Sequence, residues 1–293
     1  MVCRDKYLLE VYTLLYAPSR RTDEQSSMYV DLHCHSYYSD GAQTPEYLVS
    51  AALERGLTHL ALTDHDCLCG VEHLWKTMPR AALPSKQEGW RQLNLIAGVE
   101  ISCDWNGLEI HVVGLLKELR TPTLDALLKE QQNHRRLRAE SIAEKLDAAG
   151  TAGVRDYLAA LPATALTRSH IADFLVANGT CKNKQKAFKS YLGRRGKAYV
   201  AATWASLDRA VNAIQSTGGI AVLAHPSRYP LTRSKLSRLI KDFHAAVEKL
   251  WRSATPISTQ PLRNGCSNSP RACSLPLLRL GFPHTRIWMD GAR

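Results

Sequence analysis

Two histidines one residue apart, in Asp31-Leu32-His33-Cys34-His35-Ser36, are the first residues in this chain whose spacing could do chemistry. Side chains alternate along a strand, so His33 and His35 share one face while Leu32 and Cys34 point to the other. Two imidazoles on one face make half of a metal site. Asp40, in the Ser39-Asp40-Gly41 turn, can bring an oxygen ligand to the same mouth. The pair equally suits a buried strand whose histidines are only hydrogen-bonded, so residues further along must decide. Thr63-Asp64-His65-Asp66, Glu100, His111 and His225-Pro226 each close or border an apolar run. Singly they read as a helix cap, a carboxylate paired with arginine, a strand histidine and a turn. Together they gather His33, His35, Asp40, His65, Glu100, His111 and His225 at strand ends or adjoining turns. Mixed imidazole and carboxylate ligation suits Mn, Fe or Zn, with Glu100 able to bridge two ions. Beside a moderately basic helical region, such a cluster points to phosphate-ester hydrolysis, in which metals generate hydroxide and stabilise the attacking and leaving oxygens.

The elements that must position these residues alternate between strand and helix. A strand over 29–33 precedes a helix opened by Thr44-Pro45-Glu46 and stopped at Gly56, with the N-cap, the first-turn proline and the early acid in their favoured places. The apolar run His59–Thr63 is a buried strand, and a helix follows around 70–78. Strands over 93–100 and 108–114 deliver Glu100 and His111. Residues 123–196 are helix-rich and contain Arg135 and Arg138 at i, i+3 spacing, with a second basic cluster at 182–195. Their lack of strands predicts an inserted helical subdomain. The β/α rhythm resumes with a helix over 204–216, a Gly218-Gly219 turn and the strand Ile220–Ala224. Polar residues at the carboxyl ends of strands are where α/β folds place their chemistry.

Composition sets the outer limits. The chain has 293 residues, enough for one large α/β domain with an insertion, and no apolar run long enough to span a bilayer. The mildly apolar segment 6–16 carries Lys6 and Glu10 and makes a poor signal peptide. Eight cysteines without a regular spacing read as reduced cytoplasmic thiols, and the Cys67/Cys69 pair finds no second pair to complete a structural zinc site. The net charge of +11 is uneven: residues 249–293 contribute +6, residues 1–27 nothing net, and residues 28–248 only +5. That central charge favours an anionic substrate. Met28 stands directly before the first strand, so residues 1–27 are expected to be a dispensable or non-native extension.

In this order, the motifs DLHCHSYYSDG, LALTDHD, GVEIS, IHVVGLL and VLAHPSRY resemble the polymerase and histidinol phosphatase (PHP) family of metal-dependent phosphoesterases. Within it they are similar to the branch of RNase AM, a 5′–3′ exoribonuclease, and of the nucleoside 3′,5′-bisphosphate phosphatases. The resemblance covers roughly 28–248. It implies a distorted seven-stranded β/α barrel, divided here into 28–120 and 201–248 around a helical insertion at 121–200. It implies up to three divalent ions, commonly manganese with zinc or iron as alternatives, held by His33, His35, Asp40, His65, Glu100, His111 and His225. Of these, His33, His35, Glu100 and His225 are taken as catalytic. Asp64 resembles a position beside the metals and is not taken as a ligand. Arg135, Arg138, Arg168 and Arg228 would contact phosphate through charge-assisted bonds, although each equally suits a solvated surface. The expected substrates are short RNA or a nucleoside 3′,5′-bisphosphate, met by a cytoplasmic, membrane-free monomer.

The family's late Gly-Ser-Asp-Phe-His motif is missing. Residues 279–284 can be encoded CGG CTC GGA TTT CCA CAC, which one base along reads GGC TCG GAT TTC CAC, or Gly-Ser-Asp-Phe-His. Residues 249–293 are therefore expected to be a frameshifted, non-native tail, testable by resequencing. As written, the chain would lack its last barrel strands and two ligands. Two rival readings follow: a histidinol-phosphate-like monoesterase, against which the helical insertion counts, and an impaired PHP protein that only binds RNA or nucleotide.

Overall fold

The computed structural model describes residues 29–78 and 93–254. The expectations for residues 1–27 and for most of the tail lie outside the described residues. Strand β1 (Val30–Cys34) leads through a turn to helix α1 (Pro45–Glu54), whose N-cap Thr44 accepts from Tyr47 N–H. Strand β2 (His59–Leu62) and helix α2 (Cys69–Thr77) follow. β1, β2 and β3 (Asn94–Trp105) are parallel neighbours, and β4 (Leu108–Leu116) pairs antiparallel with β3. β3 thus runs five residues past Glu100, where the sequence reading ended it. The reason is a hairpin: Asn106 and Gly107 both take positive φ, as a tight Asn-Gly turn requires, and keep the chain in the sheet.

Helix α3 (Pro122–Ala148) joins the sheet's core through Leu124, Leu127 and Leu128 and leads to α4 (Val154–Ala159), α5 (Arg168–Ala177), α6 (Lys184–Ala187) and a π-turn at Phe188–Leu192. These pack around their own core, including Ile142, Leu146, Leu158, Ile171 and Leu175. The two-residue strand β5 (Ala205–Ser206) then joins β3 beside Cys103 and Asp104. Helix α7 (Leu207–Ser216) is shorter than the expected 204–216 because Ser206 caps it and Trp204 stays outside. Strand β6 (Ile220–Leu223) pairs antiparallel with β4, and α8 (Arg233–Ala254) closes the described chain. α8 extends beyond Glu248, where regular structure was expected to stop. Its apolar residues Leu236, Leu239, Phe243, Ala246 and Val247 recur at helical spacing and pack on the same core as α7.

The described strands form one open six-stranded mixed sheet, ordered β1-β2-β3-β4-β6 with β5 on β3. Among the described residues the sheet does not close into the expected seven-stranded barrel, because β1 and β6 are its two edges. One face of β3 and β4 carries Ile101, Cys103, Ile110 and Val112 against α7 and α8. The other face has an apolar floor of Ala61, Ile96, Val113, Leu115 and Ala224, and Glu100 and His111 follow the floor residues on the same face. A register shift between Asp31 and Cys34 breaks strict alternation in β1. Leu32 therefore packs on this floor, while Cys34 turns to the α1/α2 side.

The turn after β1 is tight. A Cβ placed on Gly41 would lie 2.1 Å from the His35 carbonyl oxygen and 2.4 Å from its carbon, both backbone atoms that cannot step aside. Gly41→Ala is expected to cost about 1–3 kcal/mol, read as a lower denaturant midpoint at unchanged slope. A midpoint equal to that of the parent chain would show that the turn has room.

Candidate metal centre

Glu100 is the hub of the polar face. It is 1% exposed, and five imidazoles converge on it. Its Oε2 lies 3.2 Å from His33 Nε2, 3.1 Å from His35 Nε2 and 3.2 Å from His65 Nδ1. Its Oε1 lies 3.1 Å from His111 Nδ1 and 3.0 Å from His225 Nε2. β3 outruns β2, whose last residue Leu62 pairs with Ala97, so Glu100 lies past the end of β2, where His65 forms a parallel bridge to it. Asp40 reaches the same group, 3.6 Å from His65 and 3.8 Å from His35. All seven residues expected to form a cluster are thus brought together. His225 adopts a left-handed φ of 30°, a strained backbone for a non-glycine residue and of the kind that gathers at functional sites.

The donor set fits divalent cations. Two groups of three ligand atoms, from His33, Glu100 and His225 and from His35, His65 and Glu100, lie within 4.8 Å of one another. Both share Glu100, as a bridging carboxylate would. Nδ1 of His65 and Nδ1 of His225 are buried without a hydrogen-bond partner. The His65 nitrogen is near Glu100 but lacks hydrogen-bond geometry, so its lone pair is available to an ion.

Electrostatics divide the histidines. Burial, outweighing Glu100 and Asp40, lowers His65 to about 4, which leaves it neutral at pH 7. Burial also disfavours charge on His111, yet Glu100 and Glu109 overcome it and raise that imidazole to about 10. Burial works against ionised Glu100 as well, but His65, His111 and His225 hold its carboxyl well below the ordinary range.

A second layer fixes the first. Asp64 is buried and accepts from Ser36 N–H, Ser36 Oγ and Ser39 Oγ, each at 2.7 Å, so it fastens the turn that carries Asp40. His170 Nε2 lies 2.7 Å from the Ser39 carbonyl and ties α5 to the same turn. Tyr229 hydroxyl accepts from His111 N–H at 2.8 Å and donates to the Ala224 carbonyl at 3.0 Å, which joins β4 to the end of β6. The sequence reading missed this tyrosine and also Glu109. Glu109 stands two residues before His111 on the same strand, a spacing that could have revealed it. Its Oε1 is 3.9 Å from His111 Nε2, and its Oε2 lies 3.4 Å from Arg138 and 3.2 Å from Arg168.

The arginines therefore differ in kind. Arg138 and Arg168 flank Glu109 and line a small cleft with Thr167, Leu166 and Trp204. Arg228 is exposed in the single 3-10 turn (Pro226–Arg228) that follows His225. Arg135 requires a correction. Although it borders the same cleft, it is 6% exposed, and its guanidinium is bonded to Asp66, Ser102 Oγ and the Leu166 carbonyl. Its i+3 relation to Arg138 brings both guanidinium groups over Trp204, at 5.0 and 5.5 Å, but only Arg135 is held by a buried carboxylate, Asp66. Arg135 braces α3 against the sheet.

Fold and site together define a metal-hydrolase type of α/β protein, with a histidine and carboxylate cluster at the mouth of a mixed sheet. The chain belongs to the PHP domain family, whose model matches residues 31–198. It is 42% identical over 215 residues to a protein of Haemophilus influenzae named 5′-3′ exoribonuclease, covering 73% of this chain and 75% of that one. It is 38% identical over 219 residues to a Chromobacterium violaceum protein named 3′,5′-nucleoside bisphosphate phosphatase, covering 74% and 73%. A solved structure of an amidohydrolase from Chromobacterium violaceum, with bound sulfate and no metal, superposes with a TM-score of 0.66 at 37% identity, covering 74% of each chain.

Proposed function

We propose that this chain is a metal-dependent phosphoesterase acting on the 5′ end of short RNA or on nucleoside 3′,5′-bisphosphates. The observation that carries the reading is Glu100 ringed by five imidazoles, a donor set suited to two or more cations. The relatives named exoribonuclease and bisphosphate phosphatase supply the substrate class. Divalent ions, manganese by our assignment and up to three, would be held by His33, His35, Asp40, His65, Glu100, His111 and His225. When bound they supply a hydroxide nucleophile and Lewis acidity at phosphorus. His33, His35, Glu100 and His225 border the reacting group. Arg138 and Arg168 orient the phosphate by charge-assisted bonds, turning from Glu109 to do so, and Arg228 approaches from the far side. The buried second core supports a helical insertion at 121–200 within a barrel of 28–120 and 201–248. Among the described residues no helix is long and apolar enough to cross a membrane. We assign a monomer working in the cytoplasm.

The test uses the purified full chain. Manganese should support release of phosphate from a nucleoside 3′,5′-bisphosphate and of mononucleotides from 5′-phosphorylated RNA, and a chelator should abolish both until manganese is restored. His33→Ala should remove turnover. Turnover of histidinol phosphate alone would overturn the reading in favour of the monoesterase, and RNA binding without any turnover would establish a binder.

A further inference from the structure

The basic cluster at 182–197 has no part in the chemistry described so far. Between Phe174 and Leu207 the chain carries seven Lys or Arg residues and no acid. All seven side chains are exposed, held outward by buried Cys181, Ala187, Leu192 and Ala198. Lys184 pairs with Asp173 at 2.9 Å, and Arg194 donates to the Gly107 carbonyl at 2.8 Å. Lys182, Lys186, Lys189 and Arg195 have no carboxylate partner among the described residues. Like charges crowded on one segment repel unless an anion is shared between them.

The segment also abuts the cleft. The Arg168 guanidinium sits 5.8 Å from the Phe188 ring centroid, and Lys184 Nζ is 3.5 Å from Ser169 Oγ. Arg194 fastens the segment to Gly107, two residues before Glu109. The unpaired bases therefore continue outward from the arginines that flank Glu109. Half-buried Tyr191, under Lys197 at 5.9 Å, adds an aromatic face to the positive surface.

We propose that this segment is a track for the phosphodiester backbone of single-stranded RNA beyond its first nucleotide, so that the chain favours oligonucleotides over a mononucleotide. The inference rests on the phosphoesterase reading for where the reacting end of the RNA sits. An ammonium at the end of a long side chain is a point charge without planar bidentate geometry, which suits backbone charge rather than base identity, so the track is indifferent to sequence.

The test compares the manganese-loaded full chain with the variant Lys182→Gln/Lys186→Gln/Lys189→Gln/Arg195→Gln. The KM for a short 5′-phosphorylated RNA should rise about tenfold or more at low salt, with kcat and the bisphosphate KM unchanged. Binding of a cleavage-resistant phosphorothioate RNA should weaken in parallel. The slope of log affinity against log salt should fall by about 0.7 for each phosphate that the variant leaves unneutralised. Equal KM values for RNA in variant and parent, or a matching rise for the bisphosphate, would overturn the proposal. So would unchanged RNA binding with loss of adhesion to phosphatidylserine vesicles, which would make the segment a membrane-binding surface. If the parent hydrolyses neither substrate, the phosphoesterase reading fails, and the phosphorothioate binding comparison alone decides the track.

Discussion

Glu100→Gln is expected to lower turnover by about a thousandfold, or about 4 kcal/mol of transition-state stabilisation. The amide keeps the shape of the side chain but loses its charge and one of its two oxygens, so it would hold divalent cations far more weakly. Its nitrogen would also place hydrogens against imidazole nitrogens now about 3.0–3.2 Å from a carboxylate oxygen. Metal content measured by mass spectrometry should fall with activity. The KM for the bisphosphate should change much less, since Arg138 and Arg168 are untouched. In the ion-free chain the carboxyl titrates below its ordinary range, so the stability it contributes is present at neutral pH and is lost only in strong acid. Near-parental turnover with full metal occupancy would show that Glu100 only positions the histidines.

Asp66→Ala should have the largest effect on stability, about 3–5 kcal/mol, with Tm lower by about 10 °C. Asp66 is fully buried. One carboxylate oxygen accepts from Ser102 N–H at 2.9 Å and Gln131 Nε2 at 3.3 Å, while the other meets Arg135 Nε at 2.8 Å and Nη2 at 2.6 Å. Removing the acid leaves a buried guanidinium without its counter-charge, which costs more than the pair itself contributes. The double variant Asp66→Ala/Arg135→Met should therefore lose less than the sum of the single changes. Additive losses would mean that the two residues act independently. Since this knot fastens α3 to β3, the single variant should also weaken catalysis at temperatures well below its unfolding.

Much of the site was legible because it depends on local periodicity. HxH spacing, a Ser-Asp-Gly turn and histidines closing apolar runs each report a strand and the end of that strand. Five histidines read in this way converge on the Glu100 carboxylate, and Asp40 reaches two of them. Arg135 was misread because i, i+3 spacing tells that two arginines are near each other but not that a buried carboxylate distant in sequence, Asp66, already holds one of them. Glu109 escaped notice because an acid beside a histidine is unremarkable until two arginines distant in sequence, Arg138 of α3 and Arg168 of α5, close on it. Helix α8 was missed although Leu236, Leu239, Phe243 and Val247 follow a helical period, since the rhythm fades after Glu248 and masks the turns before it.

By itself, the sequence determined the family, the histidines and carboxylates that cluster and the strands that present them, since these follow from residue chemistry and alternation along short segments. Only the tertiary structure decided that Glu100 is the common centre. β3 had to outrun its parallel neighbour β2 through the Asn106-Gly107 hairpin before five histidines could reach one side chain. Tertiary packing also decided that Asp66 and Arg135 brace the fold while Arg138 and Arg168 face the cleft. The fate of a charge depends on whether a long-range partner or solvent surrounds it, and no local spacing encodes that.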